Sequence, residues 1–155
     1  VDAKHAAKIG VFAAMVAVAT MAITIPIPGV HGFVNFGDTI IILSSLLFGP
    51  VVGGLAGAIG SGMADMLLGY AHWAPWTIVI KGMEGVIVGR LRHNPVPAAI
   101  AGAVFMIAGY FVAAGVMYGF APAIAAIPMD GIQGGLSVIA GLLLFKALRT
   151  YIDAQ

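Results

Sequence analysis

The strongest constraint on this chain is a succession of apolar runs, each cut off by a proline, a glycine or a short polar turn. A membrane-spanning helix takes about 20 mostly apolar residues, with a range of about 17–25. The runs fall at residues 8–25, 38–48, 51–68, 76–89, 97–120 and 130–148. The first ends in Ile-Pro-Ile-Pro-Gly, which cannot continue a helix. Gly49-Pro50 divides the second from the third, and residues 121–129, with Pro122 and Pro128, read as a loop before the sixth. The second run is short for a span.

Of the 155 residues, 61% are hydrophobic and 8% charged, against roughly 25% charged in a soluble domain. So little polar side chain cannot coat a globule in water, so lipid must solvate most of the surface. The expected fold is an all-α membrane protein, a compact bundle of six transmembrane helices forming one domain over residues 1–155. The first run reads as a retained span, since no clear cleavage site precedes Pro26. No soluble domain fits, so any ATP-hydrolysing enzyme has to be another polypeptide. There is no cysteine and no HExxH or nucleophile–base motif. His31 and His72 are not spaced as a metal pair. No catalysis, cofactor, metal or nucleic-acid partner is expected.

Basic residues collect in cytoplasmic loops. Lys4 and Lys8 open the first run, Arg90 and Arg92 lie between the fourth and fifth, and Lys146 and Arg149 close the sixth. With six spans all three places share one side, which puts both termini in the cytoplasm. The opposite loops carry His31, Asn35, Tyr70, His72 and Trp73 instead.

An ionisable residue inside a span costs about 2.5–3.5 kcal/mol on insertion scales and marks a candidate functional site. Asp38, Asp65, Lys81, Glu84 and Asp130 are the candidates here. Asp38 and Asp130 open runs, where a carboxylate caps a helix N-terminus. Gln133 and Ser137 follow Asp130 on one helical face, and that polar stripe exceeds what a cap requires. Asp65, Lys81 and Glu84 read either as a charge cluster tying two helices together or as groups kept for a solute. Tyr70, Trp73, Trp76, Tyr110 and Tyr118 gather at the outer ends. Trp73 reads as part of an interfacial aromatic belt. The others suit stacking on a flat heterocycle whose edge meets Asp, Gln and His.

Small residues let membrane helices approach closely. Gly49, Gly53, Gly57 and Ser61 recur at four-residue spacing, and Gly82, Gly85 and Gly89 follow in the next run. Both sets read as internal packing. In the first run Gly10 and Ala14 lie on a wide small-residue face, which either packs internally or docks a partner helix.

The segments Phe33-Val-Asn-Phe-Gly-Asp38, Leu47-Phe-Gly-Pro50, Gly60-Ser-Gly-Met-Ala-Asp65, Leu68-Gly-Tyr70, Ala74-Pro75 and Ile80-Lys-Gly-Met-Glu-Gly85 occur in this order. Together they resemble the substrate-binding S component of energy-coupling factor (ECF) transporters, most closely the branch associated with hydroxymethylpyrimidine and related vitamin precursors. The resemblance covers roughly residues 6–150. It implies a six-helix prokaryotic membrane subunit that captures a vitamin or precursor from outside. It also implies docking on a membrane scaffold (T) subunit with two cytoplasmic ATPases. The family's docking line falls on Gly10 and Ala14, with glycine in place of the usual alanine. Its pocket, roofed by the loop between helices one and two, points to Asn35, Asp38, Asp65, Tyr70, His72, Trp76, Lys81 and Glu84. Position alone adds Tyr110, Asp130 and Gln133. A self-sufficient ion-coupled transporter or channel, using Asp65, Lys81 and Glu84 as a relay, is the rival reading.

Overall fold

A computed structural model describes residues 2–153. The described residues form six helices and one hairpin: α1 Ala3–Ala22, β1 Ile25–Ile27, β2 Gly32–Val34, α2 Gly37–Phe48, α3 Pro50–Leu67, α4 Ala74–Arg90, α5 Pro95–Tyr118 and α6 Phe120–Asp153. Proline stands in the first turn of α3, α4 and α5, where its missing N–H costs nothing. Gly49 joins α2 to α3 at φ 88°, a left-handed conformation that favours glycine.

Two connections differ from the sequence-based expectation. The stretch from Ile25 to Val34 is a short antiparallel hairpin pairing Ile25 with Val34 and Ile27 with Gly32. Its turn runs through Gly29 at φ 88° and His31 at φ 44°. Residues 121–129, expected as a loop, are the first turns of α6, with Pro128 inside the helix. Pro122 sits in the first turn, where no backbone donor is needed. Pro128 lacks a backbone donor and so frees one carbonyl, an interruption that membrane helices tolerate. At 34 residues α6 is about 51 Å long.

Among the described residues four helices, α1, α3, α5 and α6, are long and apolar enough to cross a membrane. The 12-residue α2 spans about 18 Å, short of a hydrocarbon core of about 30 Å. Burial explains how so short a helix is stable. Asp38, Thr39, Ile41, Ile42, Leu43, Ser44, Ser45 and Leu46 are all buried, so α2 is enclosed by protein rather than lipid.

Helix α3 is the hub, packing on α4, α1 and α2. Its glycines permit this. A Cβ on Gly57 would lie 2.7 Å from the Lys81 carbonyl oxygen of α4, and one on Gly60 would lie 2.7 Å from Val16 Cβ of α1. On Gly53 it would lie 2.7 Å from Ser45 Cα of α2. The glycine line is therefore internal packing, as its spacing suggests. Helix α1 turns Ile9, Ala13, Val16, Ala17 and Thr20 inward. Gly10 and Ala14 face outward, and a Cβ on Gly10 would meet nothing within 4 Å.

Two apolar cores result. One lies under the hairpin, around Ile27, Val30, Val34, Trp73, Ile80 and Met106. The other groups Ile42, Leu46, Val88, Ala98 and Ala99. Along α4 the charged pair Lys81 and Glu84 falls between Ile80 of the first core and Val88 of the second.

Candidate ligand cavity and the ion network beneath it

A cavity lies between the hairpin and the helix ends, about 50 Å3 in itself and about 500 Å3 when the open space at its mouth is counted. Ile27, Val30, Gly32, Phe33 and Asn35 come from the hairpin and its exit, and Asp65 from the end of α3. Trp73 and Thr77 come from the start of α4, Tyr110 and Ala114 from α5, and Ala126, Asp130 and Gln133 from α6. Of the residues singled out in the sequence, Asn35, Asp65, Tyr110, Asp130 and Gln133 line this cavity.

Beneath it runs a buried polar chain. Lys81, only 1% exposed, donates to Asp38 Oδ1. The other carboxylate oxygen of Asp38 accepts from Gln133 Nε2 at 2.6 Å. Gln133 Oε1 accepts the backbone N–H of Asn35 at 2.9 Å, and Asn35 Oδ1 accepts that of Gly37 at 2.8 Å. The chain links α4, α2 and α6 to the exit of the hairpin. Glu84 approaches the Lys81 ammonium at ion-pair distance, 3.5 Å, but neither of its oxygens receives a hydrogen bond. The ammonium also sits 5.2 Å from the centre of the Tyr110 ring.

These contacts revise three expectations. Asp38 stands in the first turn of α2, but its carboxylate serves Lys81 and Gln133, and Asn35 supplies the side-chain acceptor at that end. Asp130 cannot be a cap, because it lies within α6. Lys81 pairs with Asp38 and Glu84, so the tie it makes is between α4 and α2. Asp65 forms no ion pair with Lys81, and its Oδ2 is buried without a hydrogen-bond partner. The three groups imagined as one relay thus belong to two separate clusters.

The remaining aromatic candidates frame the rim. Tyr70 packs on Phe33 with ring centres 4.8 Å apart. The exposed His72 pairs with the Tyr118 hydroxyl at 2.8 Å. Trp76 is half-buried against the upper core. Trp73 is the residue the sequence reading misplaced. It is 6% exposed and lines the cavity, its Nε1 donates to the His31 carbonyl at 3.1 Å, and it meets Tyr110 edge-on at 5.6 Å. Helical spacing held the signal, since residues 73, 77, 81 and 84 share one face of α4.

The sequence profile of the ECF-type riboflavin transporter S component matches residues 1–150. Among curated relatives, an uncharacterized protein in the gap 3′ region of Pyrococcus woesei is 43% identical over 132 residues, covering 81% of this chain and 88% of the relative. The thiamine precursor transporter HmpT of Lactococcus lactis is 28% identical over 151 residues, covering 97% and 88%. A UPF0397 protein of Streptococcus pneumoniae is 36% identical over 89 residues, covering 57% of this chain and 48% of its own length. In fold, the chain superposes on the solved S component of a bacterial ECF transporter with TM-score 0.78 at 19% identity, covering 96% of this chain and 97% of that one. The chain belongs to the ECF-type riboflavin transporter S component family and is the substrate-specific membrane subunit of an ECF-type importer.

Proposed function

We propose that this subunit captures a vitamin or vitamin precursor, a small heterocycle of the hydroxymethylpyrimidine or pyridoxine-like kind, in the cavity under the hairpin. It hands the ligand inward when docked on a membrane T subunit driven by two cytoplasmic ATPases. The observation that carries this reading is the cavity itself, closed over by the hairpin and holding a buried carboxylate oxygen without a partner. The printed name of the Lactococcus relative, a thiamine precursor transporter, supports the precursor class.

Six spans with both termini in the cytoplasm complete the proposal. Trp73 and Thr77 lie at the start of α4, and Arg90 ends it. Likewise Asp130 and Lys146 are far apart along α6. The cavity and the basic clusters therefore lie toward opposite ends of the bundle, which suits an outward mouth and a cytoplasmic basic side. The chain has no cysteine, so single replacements report topology cleanly. His31→Cys is expected to react with a membrane-impermeant maleimide in intact cells, and Arg92→Cys only after permeabilisation. The reverse pattern refutes the orientation.

Docking is assigned to the outward face of α1. Gly10→Leu with Ala14→Leu adds bulk on the exposed face of α1, where a Cβ on Gly10 meets nothing within 4 Å. The pair is expected to leave ligand binding by the isolated chain unchanged while ATP-dependent uptake by the assembled importer falls at least tenfold. Unchanged uptake would remove α1 from the docking surface.

A further inference from the structure

A second hollow lies at the opposite end of the bundle, where the start of α5 meets the last turns of α6. It measures about 360 Å3, and about 710 Å3 when the open space outside it is counted. Pro95 and Val96 of α5 line one side, and Leu142, Phe145, Lys146 and Arg149 of α6 line the other. Leu142 and Phe145 also pack against the core around Ile42, Leu46 and Val88, which fixes them in place. The cavity under the hairpin shares none of these residues.

The hollow is apolar within and cationic at its edge. Lys146 and Arg149 are exposed. The Arg149 guanidinium lies over the Phe145 ring, 6.0 Å from its centre, so the aromatic wall helps to orient it. Among the described residues, none that lines the hollow is acidic. Helix α5 adds a third positive element. Asn94 gives its N-terminus no side-chain cap, and Pro95 and Pro97 carry no N–H. The Val96 N–H is therefore the donor that this first turn offers, with the positive end of the helix dipole behind it. Cations near the end of α6 also suit that helix's own dipole. That role requires neither a hollow nor a facing helix N-terminus.

The surroundings are those of a lipid site. Val96, Ile100 and Val104 are all exposed and recur every four residues, so one bare apolar strip of α5 runs from the hollow toward the middle of the bundle. The face assigned to docking is elsewhere. Helix α1 packs on α3 and α2, whereas α5 and α6 each have the other as main neighbour.

We propose that this hollow binds the phosphodiester headgroup of an anionic membrane lipid. Lys146, Arg149 and the Val96 N–H meet the phosphate, and an acyl chain lies along Val96, Ile100 and Val104. Basic pockets between membrane helices on the cytoplasmic side recognise such headgroups. The lipid would anchor the α5–α6 side of the subunit to one leaflet while α1 faces the partner. The site does not depend on what the cavity under the hairpin carries; only the choice of leaflet rests on the orientation proposed above.

Native mass spectrometry of the purified full chain tests this, by titration with phosphatidylglycerol and with phosphatidylcholine of the same acyl chains. One phosphatidylglycerol is expected to bind at least about 30-fold tighter than phosphatidylcholine, at roughly fivefold for each cation near the headgroup. Lys146→Gln with Arg149→Gln is expected to abolish that preference. Lys4→Gln with Arg90→Gln removes the same charge away from the hollow and is expected to keep it. All four residues are exposed, so these changes spare the core. No preference in the parent chain, or equal loss in both double variants, overturns the site. Displacement of the lipid by millimolar inorganic phosphate would mean a free-anion site instead. Displacement on assembly with the T subunit and ATPases would mean a subunit interface. Either result overturns the lipid assignment.

Discussion

Lys81→Met is expected to lower the apparent melting temperature of the purified chain by on the order of 10 °C. The side chain is lost from a site where it is 1% exposed and stands between two carboxylates, Asp38 and Glu84, that are equally buried. Removing one partner of a buried ion pair costs about 3–5 kcal/mol, because the charge left behind has neither water nor a counter-ion. Here two carboxylates are left. Methionine nearly preserves the volume, so a large effect reports charge rather than a cavity. The triple change Lys81→Met, Asp38→Asn and Glu84→Gln removes all three charges together and is expected to recover most of the loss. Thermal unfolding followed by intrinsic fluorescence distinguishes the cases. If Lys81→Met alone melts within about 2 °C of the parent, the network contributes little to stability.

Gln133→Leu is expected to reduce ligand affinity by roughly 30- to 100-fold and to loosen the hairpin. Its carboxamide makes two bonds at once, donating to Asp38 and accepting from the backbone of Asn35. Leucine fills similar space and makes neither. An unsatisfied buried polar group costs about 1–3 kcal/mol, and the variant leaves Asp38 Oδ2 and the Asn35 N–H without these partners. The Asn35 bond fixes the point where the hairpin enters α2, so its loss frees the cavity roof. Limited chymotrypsin digestion is then expected to cut faster at Phe33. Unchanged affinity together with unchanged cleavage would show that Gln133 is only packed there.

The polar pattern along the helices made part of this site legible in advance. Asp130, Gln133 and Ser137 are all buried on one face of α6, and the stripe that suggested a function does reach the cavity. The glycine spacing of α3 likewise revealed close packing, although the chain order did not reveal that one helix uses successive glycines against three different neighbours. Pairing across helices was the illegible part. Nothing in the spacing of Asp38, 43 residues before Lys81, marks it as the nearer partner than Asp65. Sequence position also misled at residues 121–129, where two prolines suggested a loop but one stands in a first turn and the other is tolerated inside a long helix. Trp73 looked interfacial because it sits at the end of an apolar run. Its burial follows from the hairpin folding over that end, a tertiary event that local hydrophobicity does not encode.

One small molecule is expected to occupy the cavity beneath the hairpin. Mass spectrometry of the molecule that copurifies with the chain, quantified per polypeptide, tests it most directly. One small heterocycle is expected at near-equimolar amount, retained by Gly10→Leu on the outward face of α1 and lost from Asp65→Asn and Gln133→Leu. Equal occupancy in the two cavity variants, or loss of the ligand on Gly10→Leu, would contradict it.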